Sequence, residues 1–407
     1  MSKNKYIFPL VLVTCLFFLW GFAYGLLDVL NKHFQETLNI TKTRSTLLQG
    51  AYFGAYFLAA IPAGLLMNKY GYKKGIVIGL LLYATGAFLF YPAAENFSFN
   101  FFLIALFILA SGLAFLETAA NPYVTVLGAP ETSANRLNLS QCFNGVGSFL
   151  GPILAAYLFF GGAKNAPANL DSVKWIYVAI GIVVLLITVF FLKTPLPEIG
   201  RNAAAASGEE VVTPSLFSHR NFTNAVIAQF FYVAAQVGVA AFFINYCTEN
   251  GTGIANAKAS ALLSAGLILF TAGRFIGTAL MKIIAANQLL AIYAVVNILL
   301  CAIVIADLKW LSVYALLGVF FFESIMFPTI FALGLKDMGA NTQKASSFII
   351  MAIIGGAVVP VVMGVIADKY STSLAYAIPL CCFIIVAWFG LRGYRVKSSK
   401  PHLNPPR

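Results

Sequence analysis

The chain has 407 residues, of which 60% are hydrophobic and only 10% charged, with a mean hydropathy of +0.86. That composition excludes a soluble globular protein. The formal charge of +12 would suit a nucleic-acid partner, but the basic residues are dispersed among loops and form no stripe, so nucleic acid is set aside and the charge is read as membrane topology.

A helix needs about 20 mostly apolar residues to cross a bilayer. Twelve candidate spans follow in chain order, at 8–30, 46–67, 75–93, 99–126, 138–160, 173–192, 222–246, 258–283, 288–306, 311–334, 346–367 and 373–391. The first begins near Met1 but is too long for a signal peptide, contains Trp20 and Asp28, and lacks a small-residue cleavage site, so it is read as a retained helix. On it Tyr24, Asp28 and Asn31 recur at i, i+4, i+7 and share one face. The loop between the second and third spans, residues 64–75, is short, glycine-rich and basic.

The fourth span carries Leu116-Glu-Thr-Ala-Ala-Asn-Pro122, which places Glu117 and Asn121 one turn apart. A charged carboxylate at the centre of a membrane helix costs about 2.5–3.5 kcal/mol on insertion scales, so such a residue faces an aqueous cavity, pairs with a cation or carries a proton. Asp28 and Glu117 are therefore candidate functional acids. The fifth span adds Gln141, Asn144 and Ser148 at i, i+3, i+7, and the seventh adds Gln229, Tyr232 and Gln236 with the same spacing. Amides and hydroxyls match the paired donors and acceptors of sugar hydroxyl groups. Trp20, Tyr24 and Tyr232 offer faces for the apolar side of a sugar ring. The competing role for each amide is helix packing, worth about 0.6 kcal/mol per bond in a membrane bundle.

Between the sixth and seventh spans the stretch from Thr194 to His219 holds Pro195, Pro197, an alanine run and Pro214, and reads as a polar linker. It divides the chain into a six-helix half at 1–193, a linker at 194–220, a second half at 221–397 and a tail at 398–407. A repeat supports the division: Phe115 to Gly128 in the fourth span matches Phe321 to Gly334 in the tenth, with Phe, Glu, Pro, Leu and Gly in register. Parallel duplication of this kind places a substrate site at mid-membrane between the halves. The repeat also makes Glu323 the counterpart of Glu117. Either it forms a structural ion pair with Arg274 of the eighth span, or it is a second proton or sugar site. Pro122, Pro152, Pro328 and Pro360 fall within spans and are read as kinks.

With the N-terminus cytoplasmic, eighteen of the 26 Lys and Arg residues fall on the inner side, so both termini are expected in the cytoplasm. The six cysteines lie in or beside spans and read as apolar fillers, not disulfides. The three histidines lie at a span end, in the linker and in the tail, and no metal-ligand or nucleophile constellation supports a membrane enzyme. No sizeable soluble domain supports a receptor.

Long collinear stretches, Phe17-Phe-Leu-Trp-Gly-Phe-Ala23 with Leu27-Asp28, Leu116 to Pro122, Arg136-Leu-Asn-Leu-Ser-Gln-Cys-Phe-Asn144, Phe327-Pro-Thr-Ile-Phe-Ala-Leu-Gly334 and Ser346 to Gly356, closely resemble the fucose–proton symporter family of the major facilitator superfamily. The 64–75 loop resembles a degenerate form of the superfamily's loop motif, with Asn68 where aspartate is usual. The resemblance implies an all-α integral membrane protein with the major facilitator fold, twelve transmembrane helices in two six-helix halves, placed in a bacterial inner membrane and working as a monomer.

It further implies a monosaccharide carrier with Asp28 and Glu117 in proton coupling and Glu117, Gln141 and Asn144 near the sugar. Asn121, Gln236, Tyr24, Trp20, Tyr232 and Phe327 complete the expected pocket. Two departures bear on the sugar: Gly25 stands where the fucose carrier has asparagine, and Phe327 where it has tyrosine, which leans toward glucose or galactose. No cofactor is expected beyond the coupling ion, H+, with Na+ as the alternative because Asp28, Asn31 and backbone carbonyls offer oxygen ligands. A proton-driven efflux antiporter of the same fold is the runner-up.

Overall fold

The computed structural model describes residues 7–40, 44, 47–160, 170–194, 216–250 and 252–396, all of it helix, turn or loop, with no strand among the described residues. Twelve long helical stretches follow one another: α1 (Ile7–Thr37), α2 (Leu47–Tyr70), α3 (Tyr72–Glu95), α4 (Phe99–Val126), α5 (Ser133–Phe160), α6 (Asp171–Lys193), α7 (Arg220–Ala241), α8 (Asn256–Leu280), α9 (Ala286–Ile305), α10 (Trp310–Glu323 and Met326–Gly334), α11 (Thr342–Met351 and Gly355–Lys369) and α12 (Thr372–Ala375 and Ala377–Trp388). Eleven are long and apolar enough to cross a membrane. The twelfth, α5, is 28 residues long, and the side chains of its last turns lie outside the described ones.

Helix ends differ from the expected limits where hydropathy alone misleads. The first helix runs on to Thr37, well past the expected end at 30, because Asn31 to Thr37, polar apart from Phe34, contain no helix breaker. The expected span 222–246 is α7 followed, after Phe242, by a separate short helix, Phe243–Glu249. The expected linker lies at 195–215 outside the described residues, as does the tail from 397 onward.

Glycines let helices of one half touch backbone to backbone. A Cβ on Gly21 of α1 would collide with the Asn144 carbonyl of α5, and one on Gly147 or Gly151 with the carbonyls of Phe18 or Phe22, all closer than the 3.0 Å that real Cβ atoms keep. Gly86 of α3 lies in the same way against the Leu109 backbone of α4, and Gly112 of α4 against the Gly79 and Tyr83 backbone of α3. Small residues at helix seams replace the hydrophobic drive that lipid removes. α1 packs mainly on α5, and α4 on α2 and α3; in the second half α7 packs on α10, α11 and α12.

An even number of crossings returns the start of α1 and the end of α12 to one face, called the terminal face. On that face basic side chains cap helix C-termini, where unpaired carbonyls and the helix dipole favour a cation. Lys73 Nζ donates to the carbonyls of Leu192 (2.8 Å) and Thr194 (2.9 Å) at the end of α6. Arg136 donates to the carbonyls of Val124 (3.2 Å), Thr125 (2.8 Å) and Ala129 (2.8 Å) at the end of α4. The Asn221 amide does the same for α10, reaching the carbonyls of Leu333, Gly334 and Lys336. All six cysteines are free thiols.

Candidate functional site

Glu117 is 6% exposed on α4, with Tyr56 of α2 and Asn121 facing its carboxyl. The Asn121 Oδ1 accepts from Gln141 Nε2 of α5 at 3.3 Å, so the two expected amides and the acid form one cluster across α4 and α5. The Asn121 Nδ2 and the Thr118 hydroxyl have no partner among the described residues. Donors left idle beside a buried acid are suited to an oxygen-rich ligand.

α1 supplies the adjoining wall. Trp20 is buried, its ring 4.3 Å from Phe17, whereas Tyr24 is 38% exposed and its ring lies 5.8 Å from Tyr52 of α2. Asn144 Nδ2 donates to the Phe17 carbonyl at 3.3 Å, which ties α5 to α1. The backbone of Asp28 is within α1, but its side chain, like that of Asn31, lies outside the described residues. Tyr52 and Tyr56, whose phenols are 3.3 Å apart, join the site without having been singled out in the sequence; their i, i+4 spacing on one face of α2 is the signal that was there to read.

The second half departs from expectation at Tyr232 and Glu323. Tyr232 is wholly buried, its hydroxyl donating to the Glu323 carbonyl at 3.2 Å and its ring set edge-on to Phe327 at 6.4 Å. It braces α10 and presents no open face to a sugar. Phe327 is half-buried and stacked on Phe331; Gln236 is half-buried and makes no hydrogen bond among the described residues.

Of the two readings of Glu323, the ion pair with Arg274 is not formed among the described residues. Arg274, 4% exposed, sends Nε to the Ser324 carbonyl and Nη1 to the Gln141 carbonyl, both at 2.8 Å, while Glu323 Oε2 is buried without a partner. The reason is backbone chemistry. Pro328 has no N–H to return to the carbonyl four residues earlier, α10 breaks at Ser324 and Ile325, and the freed carbonyl takes the guanidinium. The same logic holds at the repeat: Pro122 frees the Thr118 carbonyl, which accepts from Ser346 of α11 at 2.8 Å. There α4 continues unbroken. The prolines therefore do more than kink helices.

These bonds join the two halves, and they all fall on the side where the termini emerge. Asn135 Nδ2 donates to the Thr278 carbonyl (2.6 Å), Asn138 Nδ2 to Thr329 Oγ1 (3.1 Å), Ser346 to Thr118 and Arg274 to Gln141. A Cβ on Gly64 of α2 would strike Ser347 of α11 in the same layer. Toward the opposite side α1 and α7 pack extensively only within their own halves. The described polar bonds between the halves thus gather on the terminal face and close it. Ser346→Ala should weaken the closed layer by about 0.6 kcal/mol, the mean for such bonds in membranes. The check is the affinity for the expected sugar measured from the side opposite the terminal face, which should fall about twofold to threefold with expression unchanged.

A model of the Major Facilitator Superfamily matches residues 13–354. The glucose/galactose transporter of Brucella abortus is 37% identical over 96% of this chain and 95% of its own length. The L-fucose-proton symporter of Escherichia coli is 39% identical over 95% of this chain and 93% of its own. The crystal structure of FucP in the outward conformation superposes with a TM-score of 0.84 at 37% identity, covering 95% of this chain and 99% of the other.

Proposed function

The chain belongs to the major facilitator superfamily, and from that premise we propose that it is a sugar symporter, not an enzyme, that carries a monosaccharide across the membrane with protons by alternating access. The observation that carries the reading is Glu117, a buried acid set among Tyr56, Asn121 and Gln141, with the Asn121 Nδ2 unspent. A hexose such as glucose, galactose or fucose supplies hydroxyl groups for that donor and for the carboxyl, and Tyr24 offers an exposed ring for its apolar face.

Asp28, one helical turn beyond Tyr24, is assigned to coupling with Glu117. Protonation of both acids on the open side neutralises them, sugar binds, and the loaded carrier turns without carrying bare carboxylates through hydrocarbon. The Lys and Arg bias supports a cytoplasmic position for both termini. The closed terminal face is then cytoplasmic and the described state outward-facing, as in the solved relative. The protein acts as a monomer in a bacterial inner membrane, with no cofactor besides the coupling ion.

Purified protein in liposomes, given labelled glucose, galactose and fucose under a pH gradient, a sodium gradient or a membrane potential imposed separately, tests this directly. Inward protons alone should drive accumulation of at least one of the three sugars. Accumulation that needs sodium would transfer Asp28 to an ion site and leave Glu117 to bind sugar. Proton-driven expulsion would reverse the direction of transport assigned here.

A further inference from the structure

Arg274 sits on a seam that transport has to break. It holds the Ser324 carbonyl of its own half and the Gln141 carbonyl of the other, with its guanidinium 4.6 Å from the centroid of the Phe270 ring. When the halves part on this face, the Gln141 carbonyl leaves. Arg274 stays with α8, still charged, and with its Nη1 donor unspent. An unpaired charge at that depth calls for another acceptor.

One is waiting in the same half. Glu323 immediately precedes Ser324, is 1% exposed, and its Oε2 has no partner among the described residues. The titratable groups that face it are Arg274 of α8, Tyr232 of α7, Cys301 of α9 and Tyr376 of α12, and Arg274 is the cation among them. Building on the alternating-access reading above, we propose that Glu323 is the alternate acceptor for Arg274. The guanidinium donates to the Gln141 carbonyl while the terminal face is closed and to the Glu323 carboxylate when it opens, keeping the Ser324 carbonyl throughout. The two residues are a positioning pair that sets the balance between the two states without touching sugar. A buried acid without a partner in one state is then the reserved partner of the other.

The test is a distance measurement between spin labels at Glu131→Cys and Asp337→Cys, exposed positions of the two halves on the terminal face, with the exposed Cys15 and Cys381 replaced by Ser. The parent protein should give a short and a long distance, for the closed and open face; a single distance in every condition would overturn alternating access and this proposal with it. Glu323→Gln should reduce the open population about tenfold, because the carboxylate that receives Arg274 is gone. Adding Arg274→Gln to Glu323→Gln should raise the open population again, because only the Gln141 latch is then removed. Two distances in the parent with no loss of the open state in Glu323→Gln, or no recovery in the double variant, would overturn the switch and leave the transport reading standing. Glu323→Gln keeps size and hydrogen-bonding capacity, so its result is readable even if the double variant folds poorly.

Discussion

Glu117→Gln is expected to abolish uphill sugar uptake while preserving exchange of sugar for sugar. The amide imitates the protonated acid in shape and in hydrogen-bonding capacity beside Asn121 and Tyr56, so the loaded carrier should still turn. What it cannot do is gain a proton on one side and lose it on the other. One charge moving through 100 mV provides about 2.3 kcal/mol, which at about 1.4 kcal/mol per decade supports roughly fifty-fold accumulation. The variant's accumulation ratio should fall to about one with counterflow of labelled sugar within about threefold of the parent. Glu117→Leu, which also removes the hydrogen bonds, should lose both. Uphill uptake surviving in Glu117→Gln would take the proton away from this residue.

The second large effect concerns folding. Gly147→Leu should prevent assembly of the first half, because even a Cβ at this position runs into the Phe18 carbonyl and the Phe22 amide of α1. The obstacle is backbone, so no rotamer change relieves it, and α1 and α5 must move apart along a seam that also contains Gly21 and Gly151. Overpacking a well-fitted interior costs about 1–3 kcal/mol where side chains can yield; here the cost should lie at or above the top of that range. Gly50 and Gly54 of α2 have open space where a Cβ would go, so Gly54→Ala serves as the neutral control. The check is the yield and thermal unfolding of the detergent-solubilised protein. A Gly147→Leu variant as stable as Gly54→Ala would contradict the seam.

The helices were legible because hydropathy over about 20 residues is a local property. The cluster of Glu117, Asn121 and Gln141 was legible because helical spacing aligns polar residues on one face, and the acid could be recognised by its cost in hydrocarbon. What escaped the sequence depends on partners far along the chain. Arg274 and Glu323 suggested an ion pair by charge alone, but Pro328 had freed the Ser324 carbonyl, which takes the guanidinium. Tyr232 looked like a ring for sugar, yet the broken α10 left the Glu323 carbonyl for its hydroxyl to satisfy. Ser346, Asn135 and Asn138 carry no unusual spacing and became visible only as bonds between the halves.

The contrast between the two kinds of seam sets how the molecule should respond to load. Within the first half, helices interlock through backbone at Gly21, Gly147 and Gly151, and sliding by any fraction of a turn would drive Cα atoms into carbonyls. Between halves the described polar joints are single side-chain hydrogen bonds; those of Asn135, Asn138 and Ser346 are replaceable by water once the layer opens, and that of Arg274 passes to Glu323 in the switch proposed above. Under mechanical tension applied through the termini, the chain should first yield as two intact bundles separating, at low force and reversibly, and only later lose helices pairwise at much higher force. The stiffness needed to transmit a local protonation into a whole-body motion, and the softness needed to repeat it every cycle, are thus assigned to different chemistries in different planes of the same protein.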